Sequence, residues 1–205
     1  MRLGIFGGTF DPPHLGHMIL AAEALYQLRL ERVLWVLTPA PPHKTGWLIS
    51  PLEQRIALVQ AAIQQAPDFE LSRVDIDRQS PHYTVDTMHL LRNKFPQADL
   101  IYLMGGDSLH DLPNWHEAMR FIQACSGIGV MRRPGDSIDL ETLETSLPGL
   151  GQKVHFVEAP LLEISARQIR ERIANRRPYQ YYLLPAVYEM VKEQGYYQDF
   201  QGAQD

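Results

Sequence analysis

A single cysteine, Cys125, in 205 residues leaves no disulfide framework and no Cys-based zinc site. No apolar run approaches membrane-spanning length. The N-terminus enters a strand-like segment with no secretory pattern, so a cytoplasmic protein with no membrane partner is expected. Positive charge is scarce: 19 Lys and Arg against 24 Asp and Glu give a formal net charge of −5. That balance argues against broad nucleic-acid binding, and any polyanionic ligand requires cations gathered locally. The chain carries neither a GxGxxG fingerprint nor a P-loop, because no Gly-Lys-Ser/Thr follows its first glycines. No serine or cysteine stands out as a nucleophile with its base. Repeats and linkers are missing as well. Residues 1–205 read as one domain, long enough for a full core, with a tail expected to fray from about residue 196.

What is present is an alternation of strand-like and helix-like segments. It predicts an α/β fold, a Rossmann-like doubly wound parallel sheet with helices on both faces. The strand-like segments are Arg2–Phe6, Val33–Leu37, Phe69–Ile76, Asp99–Met104, Ser126–Met131 and Lys153–Val157. In such sheets ligands sit at the carboxyl ends of strands, and the chemically informative residues fall there.

The densest group is Gly7-Gly8-Thr9-Phe10-Asp11-Pro12-Pro13-His14-Leu15-Gly16-His17. It reads as a strand end, a glycine turn and a helix start. Gly7 and Gly8 would let the chain turn and leave backbone N–H groups bare. Asp11 can cap the helix, with Pro12-Pro13 in its first turn. Leu15, Met18, Ile19, Ala22, Leu25 and Tyr26 recur at helical spacing as an inward stripe. His14 and His17 share one side of the first turn. A helix start attracts anions, so the pair marks a phosphate site. Two other readings stay open: a helix cap plus a surface histidine, or a metal site from Asp11, His14 and His17 that has no fourth ligand in view.

Further candidates follow in order. Lys44 ends the stiff loop Thr38-Pro39-Ala40-Pro41-Pro42-His43-Lys44, as a phosphate contact or a solvated lysine. Closure of residues 40–48 is open. Ser50-Pro51-Leu52-Glu53 reads as a capping box, opening a structural helix with Leu52, Ile56, Val59 and Ile63 inward. Arg55 in that helix can lie on a solvated face. Thr84, in Pro81-His82-Tyr83-Thr84-Val85-Asp86-Thr87, is an N-cap, a pocket residue, or both. Val85, Met88 and Leu91 are expected to be buried behind it. Gly105-Gly106 permits close approach by a ring or ribose. Asp107 can accept hydrogen bonds from ribose hydroxyls or help hold a metal. Trp115 offers a flat face. Arg132-Arg133 at a strand end suits a phosphate or a solvated rim. Ser165 with Gln168 forms a capping box, and Ile164 with Ile169 a hydrophobic staple. Arg167 and Arg170 stand in the first turns of this second helix start, which can also receive phosphates. The last helix, Pro185–Gln194, reads as structural, with Gly195 as its stop.

The segment Gly7–His17 resembles the signature of the HxGH nucleotidylyltransferases. In its longer form it is similar to the bacterial nicotinate mononucleotide adenylyltransferase family. The likeness extends through Pro41–Lys44, Tyr83-Thr84 with Asp86-Thr87, Gly105-Gly106-Asp107 with Trp115 eight residues on, Arg133-Pro134-Gly135, and Ile164–Arg170. It implies adenylyl transfer from ATP to nicotinate mononucleotide in NAD biosynthesis, giving nicotinate adenine dinucleotide and pyrophosphate. Mg²⁺ would ride on the ATP phosphates without a direct protein ligand. The resemblance places ATP against Gly7, Gly8, Thr9, Phe10, His14, His17, Gly105, Asp107, Ser165 and Arg170. It makes His14, His17, Lys44 and Arg170 catalytic, and gives the mononucleotide Thr84, Trp115, His116, Arg133 and Lys44. Two positions depart from the family pattern: His116, where an aromatic residue is frequent, and Arg167, where a threonine is frequent. The family often has an arginine at the place of Arg55. Nicotinamide mononucleotide or phosphopantetheine as acceptor, or an ATP sensor without catalysis, are the rival readings. An oligomer is open.

Overall fold

A computed structural model of the chain describes residues 1–41, 48–132, 138–160 and 162–201. Six strands alternate with helices: β1 (Arg2–Gly8), α1 (Leu15–Gln27), β2 (Arg32–Leu37), α2 (Leu52–Ile63), β3 (Phe69–Ser72), α3 (Thr84–Lys94), β4 (Asp99–Gly105), α4 (Gly106–His110), α5 (Ala118–Ala124), β5 (Gly127–Met131), α6 (Leu140–Ser146), β6 (Val154–Val157), α7 (Ala166–Ala174) and α8 (Pro185–Glu193). All neighbours pair in parallel, in the order β3-β2-β1-β4-β5-β6. The order reverses between β1 and β4, and a doubly wound sheet opens its ligand crevice at such a reversal.

The strands are apolar runs because both faces are covered. Along β2, Val33, Trp35 and Leu37 enter one core cluster while Leu34 and Val36 enter the other; Ile101 and Leu103 against Leu100, Tyr102 and Met104 divide β4 in the same way. Residues of α1, α2, α7 and α8 complete the first cluster, and residues of α3, α5 and α6 the second. The expected α/β class with helices on both faces is therefore what the chain forms.

Several boundaries differ from expectation. Strand β3 ends at Ser72 instead of running to Ile76, because Asp77 N–H donates to the Arg73 carbonyl at 2.9 Å and closes a turn. The buried residues of α1 are Leu20, Ala21 and Ala24, while Tyr26 is 83% exposed. Of the expected stripe, Met18 and Leu25 pack partly buried on the first cluster while Ala22 and Tyr26 face outward, because the helix is apolar around most of its circumference and the sheet covers an adjacent face. Ser50 does not cap α2: Pro51 stands at the cap without a side-chain bond. Thr84 is the first residue of α3 and Tyr83 its cap, again without a side-chain bond. Val85, Met88 and Leu91 are buried as expected. The Ser165–Gln168 capping box of α7 forms in both directions, at 3.2 and 3.3 Å. The last segment does not fray from residue 196. Tyr197 is 8% exposed, and Tyr196 and Phe200 pack on the first cluster.

Candidate active site

Gly7 and Gly8 are the last residues of β1, paired with Val36 and Leu37, so neither makes the turn. Their lack of a side chain serves close approach. A Cβ on Gly7 would lie 2.6 Å from the Tyr102 hydroxyl, and one on Gly8 2.8 Å from the Phe10 ring. The turn itself runs from Thr9 to His14. Phe10 sits in left-handed backbone, φ 49°, a conformation that costs an aromatic residue about 1–3 kcal/mol. Its buried ring meets Phe6, Trp35 and His17 with centroids at 5.3, 4.9 and 5.1 Å, and this packing holds the strained turn.

His14, not Asp11, is the N-cap of α1. His14 N–H donates to His17 Nδ1 at 3.1 Å. The two imidazoles stack with centroids 3.7 Å apart. That bond fixes one nitrogen of His17 as an acceptor and leaves Nε2 as the nitrogen that can carry a proton toward a ligand. His14 is 6% exposed. The Asp11 carboxylate takes Ser50 N–H at 3.0 Å on Oδ2 and the Tyr197 hydroxyl at 2.8 Å on Oδ1. It is thus engaged away from the histidines, and among the described residues no group of three His, Cys, Asp or Glu converges as a metal site would.

Two arginines tie down this turn. Arg55 is buried, contrary to a solvated helix face. Its guanidinium donates to the carbonyls of Ser50 (3.0 Å), Thr9 (3.1 Å), Thr38 (2.9 Å) and Pro39 (2.8 Å). Burial pulls its pKa down from the ordinary arginine value, and the Asp11 charge opposes that pull. Spacing held the signal: Arg55 falls three residues after Leu52 and four before Val59, on the inward stripe. Arg170, from α7, is 8% exposed and donates to the Asp11 carbonyl at 2.6 Å. The two long helix starts adjoin, since a Cβ on Gly16 would lie 3.9 Å from the Ile164 carbonyl oxygen. Arg167 points elsewhere, into a 2.9 Å ion pair with Glu171 on the exposed face of α7.

Across the β1/β4 reversal stands an aromatic wall. Tyr102, on β4, presses its hydroxyl against Gly7 and meets Trp115 edge-on at 6.1 Å. Burial raises its pKa. The Tyr83 ring stacks on exposed His116 at 3.9 Å. Trp115 is half-buried, with its inner side on Phe121. Thr84, Trp115 and His116 thus come together beside the end of β1. At the end of β4 Gly105 has no atom within 4 Å of where a Cβ would be, and exposed Asp107 lies in the first turn of α4. Arg132 stacks on Phe156 at 3.9 Å. Lys44 and Arg133 lie outside the described residues. Sequence reasoning missed Asp75 and Arg78, and met Thr87 only as part of the Tyr83–Thr87 pattern. They form a buried knot under the wall, in which Thr87 Oγ1 and Arg78 Nε each reach Asp75 at 2.8 Å, and Arg78 also holds the Pro81 and Tyr83 carbonyls.

The sequence model described as cytidylyltransferase-like matches residues 5–172. A Thermomicrobium roseum protein named "Probable nicotinate-nucleotide adenylyltransferase" is 45% identical over 96% of this chain and 91% of its own length. The Bacillus subtilis nicotinate-nucleotide adenylyltransferase is 36% identical over 96% and 98%. Among solved structures, a Plasmodium falciparum nicotinic acid mononucleotide adenylyltransferase complexed with NaAD superposes with a TM-score of 0.79 over 96% of this chain and 97% of that one; at 17% identity this bears on the fold alone. The chain belongs to the cytidylyltransferase-like family and, within it, to the nicotinate-nucleotide adenylyltransferases.

Proposed function

We propose that this chain transfers the adenylyl group of ATP to nicotinate mononucleotide, releasing pyrophosphate, as a step of NAD biosynthesis. The observation that carries the reading is the stacked His14–His17 pair at the start of α1, beside the start of α7, with an aromatic wall across the crevice. The phosphate of the mononucleotide attacks the α-phosphorus of ATP. The new P–O bond forms as the bond to the β-phosphate bridging oxygen breaks, and that oxygen leaves with the electron pair on pyrophosphate. The attacking phosphate monoester is already largely dianionic at neutral pH, so the histidines need not remove a proton. His14 and His17 stabilise charge developing on the transferring and leaving phosphates, a role for preorganised donors. Gly7, Gly8, Thr9 and Phe10 line the triphosphate; Ser165 and Arg170 receive it at the second helix start. Gly105 and Asp107 take the adenosine side. Lys44 and Arg133 supply phosphate contacts, and Thr84, Trp115 and His116 receive the pyridine ring.

A divalent cation, Mg²⁺ in this reading, would come with ATP and not be held by Asp11, whose carboxylate is occupied by Ser50 and Tyr197. Such an ion neutralises phosphate charge and helps orient the leaving group. No described helix is long and apolar enough to cross a membrane.

The test is pyrophosphate release with ATP and Mg²⁺, run in parallel with nicotinate mononucleotide, nicotinamide mononucleotide and phosphopantetheine. Turnover favouring the first is expected. Equal use of the first two removes the carboxylate preference, and turnover with phosphopantetheine alone overturns the reading.

A further inference from the structure

We propose that Tyr197 is a positioning residue for the His14–His17 pair: its hydroxyl holds the Asp11 carboxylate, and Asp11 holds the turn. The segment after α8 would need no hydroxyl if it only covered apolar surface. Yet the Tyr197 hydroxyl donates to Asp11 Oδ1 at 2.8 Å, with both residues buried. Ser50 N–H occupies the other carboxylate oxygen. A buried carboxylate is tolerated only when its oxygens are paired, so each partner fixes where Asp11 can sit. The Asp11 carbonyl is held separately by Arg170, whose guanidinium lies over the Phe200 ring at 4.5 Å. One C-terminal segment therefore reaches the turn twice, through Tyr197 directly and through Phe200 behind Arg170.

Between Asp11 and His14 stand only Pro12 and Pro13. Their rings lock φ, so a displacement of Asp11 passes to His14 instead of being absorbed. His14 N–H in turn orients His17 through Nδ1. Tyr197 acts through this chain of contacts and touches no reacting atom.

The test uses the full chain with Tyr197→Phe, which removes the hydroxyl and keeps the ring. The control is Tyr188→Phe, whose ring packs on Tyr179 at 5.3 Å in the same C-terminal region. Three quantities are read: kcat and both KM values for ATP and nicotinate mononucleotide, the NMR signals of the His14 and His17 rings without substrates, and the thermal midpoint. Tyr197→Phe is expected to lower kcat roughly tenfold, since small misplacements of catalytic groups are costly. Both KM values should change little and both histidine signals should move, while Tyr188→Phe leaves kcat and the signals as they were. Unchanged kcat and unchanged histidine signals in Tyr197→Phe would overturn the inference, whatever the thermal midpoint does. The kinetic arm rests on the adenylyl-transfer reading and the NMR arm does not. A parent chain that releases no pyrophosphate would defeat that reading, while the histidine signals would still decide on Tyr197.

Discussion

The turn after β1 and the wall facing it across the β1/β4 reversal both rest on rings and polar bonds, but the polar bonds reach the turn itself, whereas at the wall they lie beneath it, in the Asp75–Arg78–Thr87 knot. The turn is clamped by polar bonds: Arg55 and Arg170 hold carbonyls on and beside it, and Asp11 is paired on both oxygens. At the wall's surface Trp115 and His116 rest on rings, with Tyr102 and Phe121 behind Trp115 and Tyr83 beneath His116. Charge-assisted hydrogen bonds fix direction as well as distance, which suits groups that must meet developing charge. Ring faces tolerate sliding, which suits recognition of a flat ligand. Under the proposed function, the contrast matches chemistry to the clamped turn and choice of acceptor to the wall.

The strongest way to break that division is at His17. His17→Ala should lower kcat on the order of 10² to 10³, as loss of one preorganised donor does, with KM values nearly unchanged in steady-state kinetics. A raised KM at full kcat would move His17 from chemistry to binding. Next is the clamp. Arg55→Ala orphans four carbonyls and should cost about 3 kcal/mol of stability by urea unfolding. A loss near zero would mean that water replaces the guanidinium freely. On the wall, Trp115→Ala should raise KM for the mononucleotide about tenfold, in line with the worth of an aromatic face, and leave KM for ATP alone. A smaller effect couples the two regions where Tyr102 meets Gly7. Gly7→Ala should cost about 1–3 kcal/mol by overpacking, and adding Tyr102→Phe should recover part of it, because the clash is with the hydroxyl.

The smallest effect concerns pH. Burial pushes the Cys125 thiol up to about 12 and raises Tyr102 and Tyr197 as well. In the unfolded chain these groups ionise from about pH 9 upward. There the unfolded state binds fewer protons, so stability falls as pH rises. Below about pH 7 the three groups contribute almost no slope. Urea midpoints measured from pH 7 to pH 11 should show that sign.

Much of this was legible in the sequence, unevenly. The strands could be read because they are apolar runs buried on both faces, and the turn because glycine, paired histidines and a helix start have a chemistry of their own. Ser165 was readable as a cap because its partner lies three residues away. What failed was long-range pairing. Asp11 looked like a helix cap because caps are local; its true partners, Ser50 and Tyr197, are 39 and 186 residues away. The tail looked frayed because its position said so, although Tyr196, Tyr197 and Phe200 are more aromatic than a solvated end requires. Gly7 and Gly8 read in sequence as turn residues, whereas the space they leave is taken by Tyr102 and Phe10. Which face of α1 is buried most deeply depends on the sheet, and no spacing within the helix decides it.

The division of labour is tested most directly by the ratio of kcat/KM for nicotinate mononucleotide to that for nicotinamide mononucleotide, measured in His17→Ala beside the parent chain. The ratio is expected to survive within about twofold while both rates fall together by ~10²-fold or more. A ratio that collapses toward one would show that the clamped turn selects the acceptor and would contradict the assignment of recognition to the wall.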